Sequence, residues 1–592
     1  MILESLAEMA RREGLVDEPA FQSMPVRWVV DIDEQGCFES LIDTGYEERT
    51  EGKKKPRTLY PMRKIPRRSG RTSGDQEEFL VDKSDYVLGF LPDGADGGER
   101  SLRRQRMFAG ALARANADVQ SPALTAVLAF LQSDDERQRC VDQLAAKQFV
   151  SNDLFTFRVG DTMLDEEPVL RNWWAERVAE TSQAGDMGQC LLCGNRKAIV
   201  DKHDSLKLPG AVTSGVALVS FNSGAFEKYG LERNENAPIC RDCMVAYVNG
   251  LRRCLEPRYP KPHGGSFSQQ SMRLSEDTVA VYWDDASSGI SSALHFLSDG
   301  PGEVKALLES PWKGLSPAAP EARFYCLILT GTQGRASVRG MHTSTLGKVV
   351  ENLIGEQAGK RGYFTCIEAA GYREEPAPIK VLEASLAVQG KLDSLPPGIA
   401  SEVFLSAVMG HALSPWFLAA TVGRTRAERT LTRPRAALLH LYFQRHPNLE
   451  LRKTPMSLDV ETLDPAYRYG RLLAVLERLQ IRALKRTPNS TIVDRFYAAA
   501  STRPATAFPR LISLAQNHLR SLNVGAGFFS GKIEEIVAGL DGAKGFRPTL
   551  NLEEQGRFAL GYFHQKNALY GSSAQADAAE DTPNNETEET QQ

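Results

Sequence analysis

The alternation of apolar and polar residues predicts strands and helices mixed together in the first part of the chain. Residues 26–33 and 37–43 read as two strands around Glu34-Gln35-Gly36, which is typical of a β-hairpin. Residues 79–90 have strand-like content. Residues 101–149 place apolar side chains three and four positions apart, which is the spacing of a helix.

The middle of the chain, from about residue 154 to residue 388, alternates short strands with helices. A second hairpin is predicted where Gly331 to Gly334 form a turn into an arm at residues 335–339. The clearest strands are predicted at residues 216–221, 278–283 and 324–330.

Past Pro397 the period-two alternation disappears and a helical period replaces it. The longest uncharged stretch, residues 405–422, reads as a buried helix pair broken at Pro415 rather than a membrane span. Short loops with Pro or Gly separate the segments, which predicts a helical bundle. Helices are expected at residues 399–422, 434–443, 465–484, 508–522, 532–540 and 552–569.

Charge is distributed unevenly along the chain. It has 71 Lys and Arg against 75 Asp and Glu, for a net charge of −4. Residues 577–592 hold six acidic residues and no basic one, and their Ala, Thr, Asn and Gln cannot supply a core. We therefore predict a disordered acidic tail at residues 575–592 and a slightly basic remainder.

The start of the sequence and the cysteine content indicate the compartment. Acidic residues interrupt the apolar pattern of the first 14 residues, which does not fit a signal peptide. Nine cysteines, an odd number in so long a chain, argue against a disulfide scaffold. These features predict a soluble cytoplasmic protein with reduced thiols and no membrane partner.

A strongly basic segment lies at residues 53–71. It contains nine Lys and Arg and no acid, and Pro56, Pro61 and Pro66 predict a loop. Such a segment repels itself and favours a polyanion, because Arg can fork onto phosphate or a guanine edge. The alternative is a solvated basic loop without a partner.

Two CxxC pairs indicate a structural zinc site. Cys190 and Cys193 form the first pair, and Cys240 and Cys243 form the second. Two pairs can supply four thiolates to one tetrahedral ion, and four thiolates close the site to catalysis. The alternative is four unligated thiols.

Together these patterns predict an α+β protein. We expect a mixed α/β N-terminal and central region with a zinc-knuckle insertion, followed by a C-terminal helical bundle. The expected boundaries are residues 1–150, 151–395 and 396–574, with the tail after them.

A row of arginines follows one face of the helix predicted at residues 465–484. Their spacing of three, seven, four and four residues keeps them together on that face. This arrangement favours tracking of a single-stranded nucleic-acid backbone, and the alternative is a solvated face. The residues are Arg468, Arg471, Arg478, Arg482 and Arg486, with Lys485 beside them.

A search for catalytic motifs finds none that is complete. No GxxxxGK[ST], HExxH or GxSxG occurs. His203-Asp204 reads as a surface polar pair, because a metal-dependent phosphohydrolase needs several such residues. A non-catalytic binding protein is therefore expected, and the competing hypotheses are a zinc-containing nuclease or nucleotidyl transferase and a zinc-stabilised protein scaffold.

Several blocks in a fixed order resemble one known family. The chain is similar over residues 1 to about 570 to the large subunit of the type I-C CRISPR surveillance complex, Cascade, of the Dvulg subtype. The blocks include PRRSG at residues 66–70, LVSFN at 218–222, AFEKYG at 225–230, GRASVR at 334–339, YRYGRLLAVLERLQ at 467–480 and LEEQGRFALGYFHQ at 552–565.

The resemblance implies a non-catalytic subunit that recognises the protospacer-adjacent motif in duplex DNA. It further implies help in strand opening and R-loop formation, and recruitment of a helicase–nuclease. Guide RNA reads the rest of the target by base pairing. The implied partners are the guide-RNA complex, the Cascade backbone subunits, a small subunit, the helicase–nuclease and double-stranded target DNA.

Under this resemblance, particular residues become candidates for DNA contact. Thr72 or Asn222 is expected at base edges, although Asn222 also suits an ordinary turn. Arg335 and Arg339 lie on one face of a strand, where a phosphate track and structural pairing are both open. Phosphate contacts from the basic segment are expected from Arg63, Lys64, Arg67, Arg68 and Arg71.

The resemblance also implies a small subunit made by internal translation of the same reading frame. Met456 follows Pro455 and directly precedes the arginine-rich helix. We predict residues 456–592 as a self-contained helical product, starting at Met456 or at a nearby non-Met codon.

Overall fold

The computed structural model describes residues 2–16, 20–48, 57–68, 75–91, 98–183, 187–221, 223–256, 259, 267, 269–285, 321–332, 334–357, 360–372, 379–484, 490–522, 524–540 and 545–580 of the 592-residue chain. The chain forms two compact units. Unit 1 comprises Met1–Gln269 and Thr330–Ser337, and unit 2 comprises Gln270–Leu329 and Val338–Gln592. The three predicted domain boundaries stay a prediction.

Unit 1 begins with a helix and continues with short strands and further helices. Its strands are β1 (Phe21–Pro25), β2 (Trp28–Ile32), β3 (Phe38–Asp43), β4 (Tyr46–Glu48), β5 (Arg57–Leu59), β6 (Met62–Pro66), β7 (Asp82–Lys83), β8 (Leu154–Val159), β9 (Thr162–Met163), β10 (Met187–Gln189) and β11 (Arg196–Ala198). Its helices are α1 (Ile2–Arg12), α2 (Ser84–Val87), α3 (Glu99–Val119), α4 (Pro122–Gln132), α5 (Asp134–Ala145), α6 (Pro168–Gln183) and α7 (Arg241–Leu255).

The predicted first hairpin is confirmed. β2 and β3 pair antiparallel, and β8 lies parallel to β2 on its other side. Gly36 in the turn has φ +88°, and a Cβ there would approach the carbonyl oxygen of Ala126 to 2.6 Å, so only glycine fits. Helices α3 to α5 confirm the predicted helical stretch, and with the sheet they bury Trp28, Phe108 and Phe157 in one core.

Three strand or loop predictions in unit 1 are wrong. The basic segment contains strands β5 and β6 rather than only a loop, because β6 pairs along its whole length with β1 and its proline lies at the end of the strand. The strand-like run at residues 79–90 forms β7 and the single turn α2. Residues 216–221 form only an isolated bridge, between Leu206 and Val216.

Unit 2 combines a four-stranded sheet with helices, and strands β14 and β15 also contribute Thr330–Ser337 to unit 1. The strands are β12 (Ser271–Arg273), β13 (Thr278–Asp284), β14 (Arg323–Thr332), β15 (Arg335–Thr345), β16 (Glu356–Gln357) and β17 (Lys360–Arg361). The sheet order is β12-β13-β14-β15, which confirms the strands predicted at residues 278–283 and 324–330 and the second hairpin arm.

The C-terminal part is helical, as predicted. The helices are α8 (Leu346–Ile354), α9 (Tyr363–Ala369), α10 (Ile379–Ala384), α11 (Ile399–Met409), α12 (Pro415–Glu428), α13 (Arg433–Arg445), α14 (Leu449–Arg452), α15 (Pro465–Ala483), α16 (Ile492–Thr502), α17 (Pro504–Ser521), α18 (Ala526–Ala538) and α19 (Leu552–Glu580). The break at Pro415 is confirmed, whereas α16 was not predicted. Within the described ranges, no helix combines the length and the apolar content that crossing a bilayer requires.

Helices α15 and α19 of unit 2 pack with their backbones very close together. A Cβ at Gly470 would approach the carbonyl oxygen of Phe558 to 2.0 Å, and one at Gly561 would approach that of Tyr467 to 2.1 Å. Each helix therefore contributes a glycine at which the backbone of the other helix makes contact. Helix α19 ends at Glu580, so it includes the first residues of the predicted acidic tail, and residues 581–592 lie outside the described residues.

Candidate metal centre and nucleic-acid interface

The four cysteines of the two CxxC pairs come together in unit 1. Their sulfur atoms all lie within 4.8 Å of one another, and the Sγ atoms of Cys193 and Cys240 are 3.9 Å apart. Cys190, Cys240 and Cys243 are buried, and Cys193 is half-buried. Although 46 residues separate the pairs in sequence, the fold builds one four-sulfur cluster that is compatible with a metal ion.

Backbone geometry explains how each pair reaches the cluster. Strands β10 and β11 form a small hairpin, and the Gly194 amide donates to the Cys190 carbonyl oxygen at 2.9 Å with Gly194 at φ +72°. Cys240 stands at the N-cap of α7, which places Cys243 in the first helical turn. The Cys240 amide also donates to the Cys190 sulfur at 3.3 Å, which ties the two pairs together.

The electrostatics of the cluster differ from one thiol to the next. Burial raises the pKa of the Cys190 thiol, but amide donors from Cys240, Cys193 and Leu192 outweigh it and bring that pKa down to about 7. Burial raises the pKa of Cys240 to about 11 and raises that of Cys243 as well. Cys190 is therefore deprotonated more readily than Cys240 and Cys243, and thiolates are the form that binds a metal.

The arginines of the basic segment whose side chains the structure describes form ion pairs and hydrogen bonds within unit 1. The Arg63 guanidinium donates to both oxygens of the fully buried Asp165 carboxylate, at 2.7 and 3.0 Å. Its Nη2 also reaches Glu166 at 2.8 Å. Arg63 therefore clamps β6 to the segment after β9, which is an intramolecular role the sequence did not predict.

Arg67 and Arg68 also form hydrogen bonds and ion pairs within unit 1. The buried Arg67 donates to the Phe21 carbonyl oxygen at 2.9 Å, and its Nη1 lies 3.4 Å from Asp204. Arg68 donates to the buried Asp82 at 3.1 Å.

The expectation that Arg63, Arg67 and Arg68 form a free phosphate-binding surface is corrected, because buried carboxylates and carbonyl oxygens occupy their donors. Lys64 is half-buried and has an intramolecular interaction of its own. Arg71 and Thr72 lie outside the described residues.

The arginine row on α15 has two different environments. Arg471 is fully buried, and it donates to Glu535 at 2.6 Å and to Gln565 at 3.0 Å. Arg468 is also buried, and it donates to the carbonyl oxygens of Thr462 and Ile536. These two arginines hold helices together, which corrects the expectation that the whole row faces a nucleic acid.

The C-terminal half of the row is more accessible. The Arg478 guanidinium lies 4.2 Å from the ring centroid of Tyr570, and Arg482 is exposed. Lys485 and Arg486 lie outside the described residues. Arg478 and Arg482 are therefore the described residues of this row that an extended polyanion can reach.

The hairpin of β14 and β15 presents exposed cations. Arg335 and Arg339 are both exposed, and the Arg335 guanidinium stacks on Phe226 at 4.8 Å. Asn222 lies outside the described residues, but its neighbours Phe221 and Ser223 line a cavity of about 510 Å³. His203 lines the same cavity and is buried, so the prediction of a surface His-Asp pair is wrong for this residue.

Sequence reasoning missed Arg11 and the cavity residues. Arg11 reaches the sulfur of Cys243 from a position 232 residues away, and no local pattern encodes such a contact. Lys202 lines the cavity from a loop and Arg233 from a short 3-10 helix, Arg233–Asn236, and neither belongs to a recognisable motif. Among the sequence signals, the His203-Asp204 pair and the turn around Asn222 pointed to this region.

Comparison with known proteins gives one clear result. A search of curated protein sequences yields no significant match. A family model described as CRISPR-associated protein (Cas_Csd1) matches residues 3–570, which is nearly the whole chain. The chain therefore belongs to the CRISPR-associated protein (Cas_Csd1) family.

Proposed function

We propose that this protein is the large, non-catalytic subunit of a type I-C CRISPR surveillance complex. The family match over residues 3–570 carries the proposal, because it covers both units and includes the ordered blocks of the sequence. In this role the protein recognises a protospacer-adjacent motif in duplex DNA, promotes strand opening and R-loop formation, and helps to recruit a helicase–nuclease. Guide RNA and the backbone subunits complete the complex.

Exposed cations would make the phosphate contacts in this role. Arg335 and Arg339 on β15, and Arg478 and Arg482 on α15, are accessible or partly accessible. Arg63, Arg67 and Arg68 would act indirectly, because their ion pairs and hydrogen bonds fix the shape of the strand from which the rest of the basic segment continues. Phosphate contacts position the protein, and base specificity then comes from side chains such as Thr72 and Asn222.

We propose zinc as the ion of the four-cysteine cluster. Four sulfur donors with the observed spacing suit tetrahedral zinc and leave no open coordination position, so the ion would be structural. Cys190 and Cys193 would join the β10–β11 hairpin to Cys240 and Cys243 on α7. The ion would thereby stabilise the part of unit 1 that borders the cavity.

We further propose that residues 456–592 form the separately translated small subunit. One buried core consists wholly of residues between Ala466 and Leu569, drawn from α15 to α19. Such a core supports an independently folding product, which would expose Tyr467, Leu560 and Phe563, side chains that belong to a second core with residues before Met456. Met456 itself is buried, and Met456→Leu would remove the start codon while keeping the side-chain volume.

The test is a gel-shift series with the assembled complex and with target duplexes that differ only in the flanking motif. The expected result is motif-dependent binding that weakens as salt rises. Arg335→Ala and Arg339→Ala should weaken binding to all duplexes and lower the salt slope by about one per lost phosphate contact. Arg114→Ala, which removes an exposed partner of Glu77, is the matched control and should leave the slope unchanged.

Two results would contradict the proposal. One is a complex that binds all flanking sequences equally well at every salt concentration. The other is purified protein that cleaves DNA in the presence of a divalent metal, since this would favour the nuclease hypothesis.

A further inference from the structure

A cavity of about 510 Å³ in unit 1 has no role in the contacts described so far. Its wall is formed by residues 201–203, 205, 215–217, 219–221, 223–224, 227 and 233–234, with Gly334 from the turn between β14 and β15. The volume lies within the range of pockets that bind small organic groups. The cavity is therefore large enough for one planar heterocycle.

The charges of the lining nearly cancel. Lys202 and Arg233 are balanced by Asp201 and Glu227, and Arg233 is paired with Asp201 at 3.1 Å. A polyphosphate would meet two carboxylates there, which makes it a poor fit. A neutral group with hydrogen-bond donors and acceptors fits better, because the remaining polar wall consists of Ser205, Ser220, Ser223 and Asn234.

His203 supplies a buried polar atom without a partner. The residue is 7% exposed, its Nδ1 atom pairs with the hydroxyl of Tyr247 on α7, and its Nε2 atom has no hydrogen-bond partner among the described residues. His203 is also one of the residues that line the cavity. Because an unpaired buried polar atom is unfavourable, this position calls for a ligand atom that can pair with it.

Aromatic side chains lie in the wall and beside it. Phe221 lines the cavity, and Phe226 carries the stacked guanidinium of Arg335. Tyr229, three residues further on, is 97% exposed with φ +59° and is followed by Gly230 at φ +75°, so the backbone presents its ring at the tip of a loop. Exposed rings of this kind are stacking surfaces for bases in single-stranded nucleic acids.

We propose that this cavity accepts one unpaired nucleobase turned out of an opened DNA strand. The base would pair with Nε2 of His203 and the polar wall, and its neighbours would stack on the exposed aromatic rings. Proteins that take a base out of the stack use such a combination of edge hydrogen bonds and stacking. The inference rests on the proposed DNA-binding function and adds to it a site for one base.

The experiment measures whether a base becomes enclosed. Full-length protein is mixed with a single-stranded oligonucleotide that carries 2-aminopurine at one central position, and acrylamide quenching of its fluorescence is recorded. Acrylamide is neutral and reaches bases at the surface, so an enclosed base is protected from it. We expect several-fold weaker quenching in the complex than in free DNA.

Cavity-filling variants provide the decisive comparison. A Cβ at Gly224 would meet only Glu227 Oε2, at 4.0 Å, so Gly224→Leu can fill the cavity without moving the backbone. Ser220→Leu fills it from another side, because Ser220 also lines the cavity. Gly423→Leu, on α12 with no atom within 4 Å of the new Cβ, is the matched control.

The proposal predicts that both cavity variants bind the strand yet leave the base open to acrylamide, whereas Gly423→Leu behaves as the wild type. Unprotected 2-aminopurine in a bound wild-type complex would overturn the proposal, as would protection that survives both cavity variants. Failure of the wild-type chain to bind the strand would overturn this inference, whereas the proposed function fails on its own if the assembled complex shows no motif-dependent binding to duplexes.

Discussion

The Arg11 guanidinium donates a hydrogen bond to the sulfur of Cys243, with Nη2 and Sγ 3.4 Å apart. This contact joins α1 to the four-cysteine cluster, although the two residues are 232 positions apart in the sequence. Helix α1 is held close to α7, since a Cβ at Gly250 would approach the Leu6 carbonyl oxygen to 2.5 Å. A buried ion pair between Arg253 and Glu13, 2.8 Å long, fastens the end of the same helix. The N-terminal helix therefore takes part in the candidate metal centre.

Arg11→Gln should loosen a zinc ion held by the four cysteines. Four thiolates around one divalent ion carry net negative charge, and the guanidinium offsets part of it through its hydrogen bond. We expect faster loss of zinc to a chelator, by about tenfold, which is within the range typical for partners that support metal ligands. The rate of release from purified protein measures this effect.

Two further variants distinguish the effect of the Arg11 charge on zinc release from the effect of detaching α1 from α7. Arg11→Lys keeps the charge and should restore most of the slow release. Glu13→Gln weakens the attachment to Arg253 without touching a sulfur. Equal acceleration of zinc loss in Arg11→Gln and Glu13→Gln would show that the contact with Cys243 has no special effect.

Cys190→Ser should destabilise unit 1 through loss of metal. The serine hydroxyl is a poor replacement for a thiolate, and it also loses the charge that accepts the Cys240 amide. We expect a substoichiometric metal content and a lower unfolding temperature. Cys37→Ser, at an exposed cysteine outside the cluster, is the control and should retain the full metal content. A variant that keeps its zinc but loses only motif discrimination would contradict a structural role.

Arg63→Met should lower stability much more than Arg114→Ala does. The substitution leaves the carboxylate of Asp165 buried without its main counter-ion, and breaking such a pair typically costs about 3–5 kcal/mol. Arg114→Ala breaks an exposed pair and should cost about 0–1 kcal/mol. Urea unfolding of both variants gives the comparison, and equal midpoints would show that the Arg63 pair contributes little.

Local patterns predicted the elements of this fold well where one rule decides the outcome. The hairpin around Gly36 follows from alternation and a turn, and the helix break at Pro415 follows from the missing amide. The cysteine cluster was predictable because CxxC spacing constrains both sulfurs before the rest of the fold forms. In the first two cases the information lies within a few residues, and for the cluster it lies within each of two short pairs that are separated by 46 residues.

The environment of the arginines was not predictable in the same way. Arg471 and Arg482 share a helical face by spacing, yet one is fully buried and the other is exposed. The difference comes from Glu535 and Gln565, which lie more than 60 residues further along the chain and accept hydrogen bonds from Arg471. Charge density along the sequence therefore indicated basic residues correctly but could not separate structural arginines from accessible ones.

A buried histidine pair makes the stability of unit 2 depend on pH. His440 on α13 and His564 on α19 stack with their Nε2 atoms 3.3 Å apart, and His564 Nδ1 pairs with the Tyr467 hydroxyl at 2.8 Å. Burial lowers the pKa of His564 to about 4. Burial, with a smaller contribution from His564, holds the pKa of His440 well below its ordinary value.

Stability should therefore fall as the pH falls below about 6.5, the ordinary pKa of histidine. Below that pH the unfolded chain binds protons at both residues while the folded chain stays neutral down to about pH 4 at His564. The expected loss is about 1.4 kcal/mol per pH unit for each histidine. Denaturant unfolding between pH 7.5 and pH 5 measures the slope. His564→Gln should reduce that slope because it removes one of the two groups, and an unchanged slope in the variant would show that other residues cause the pH dependence.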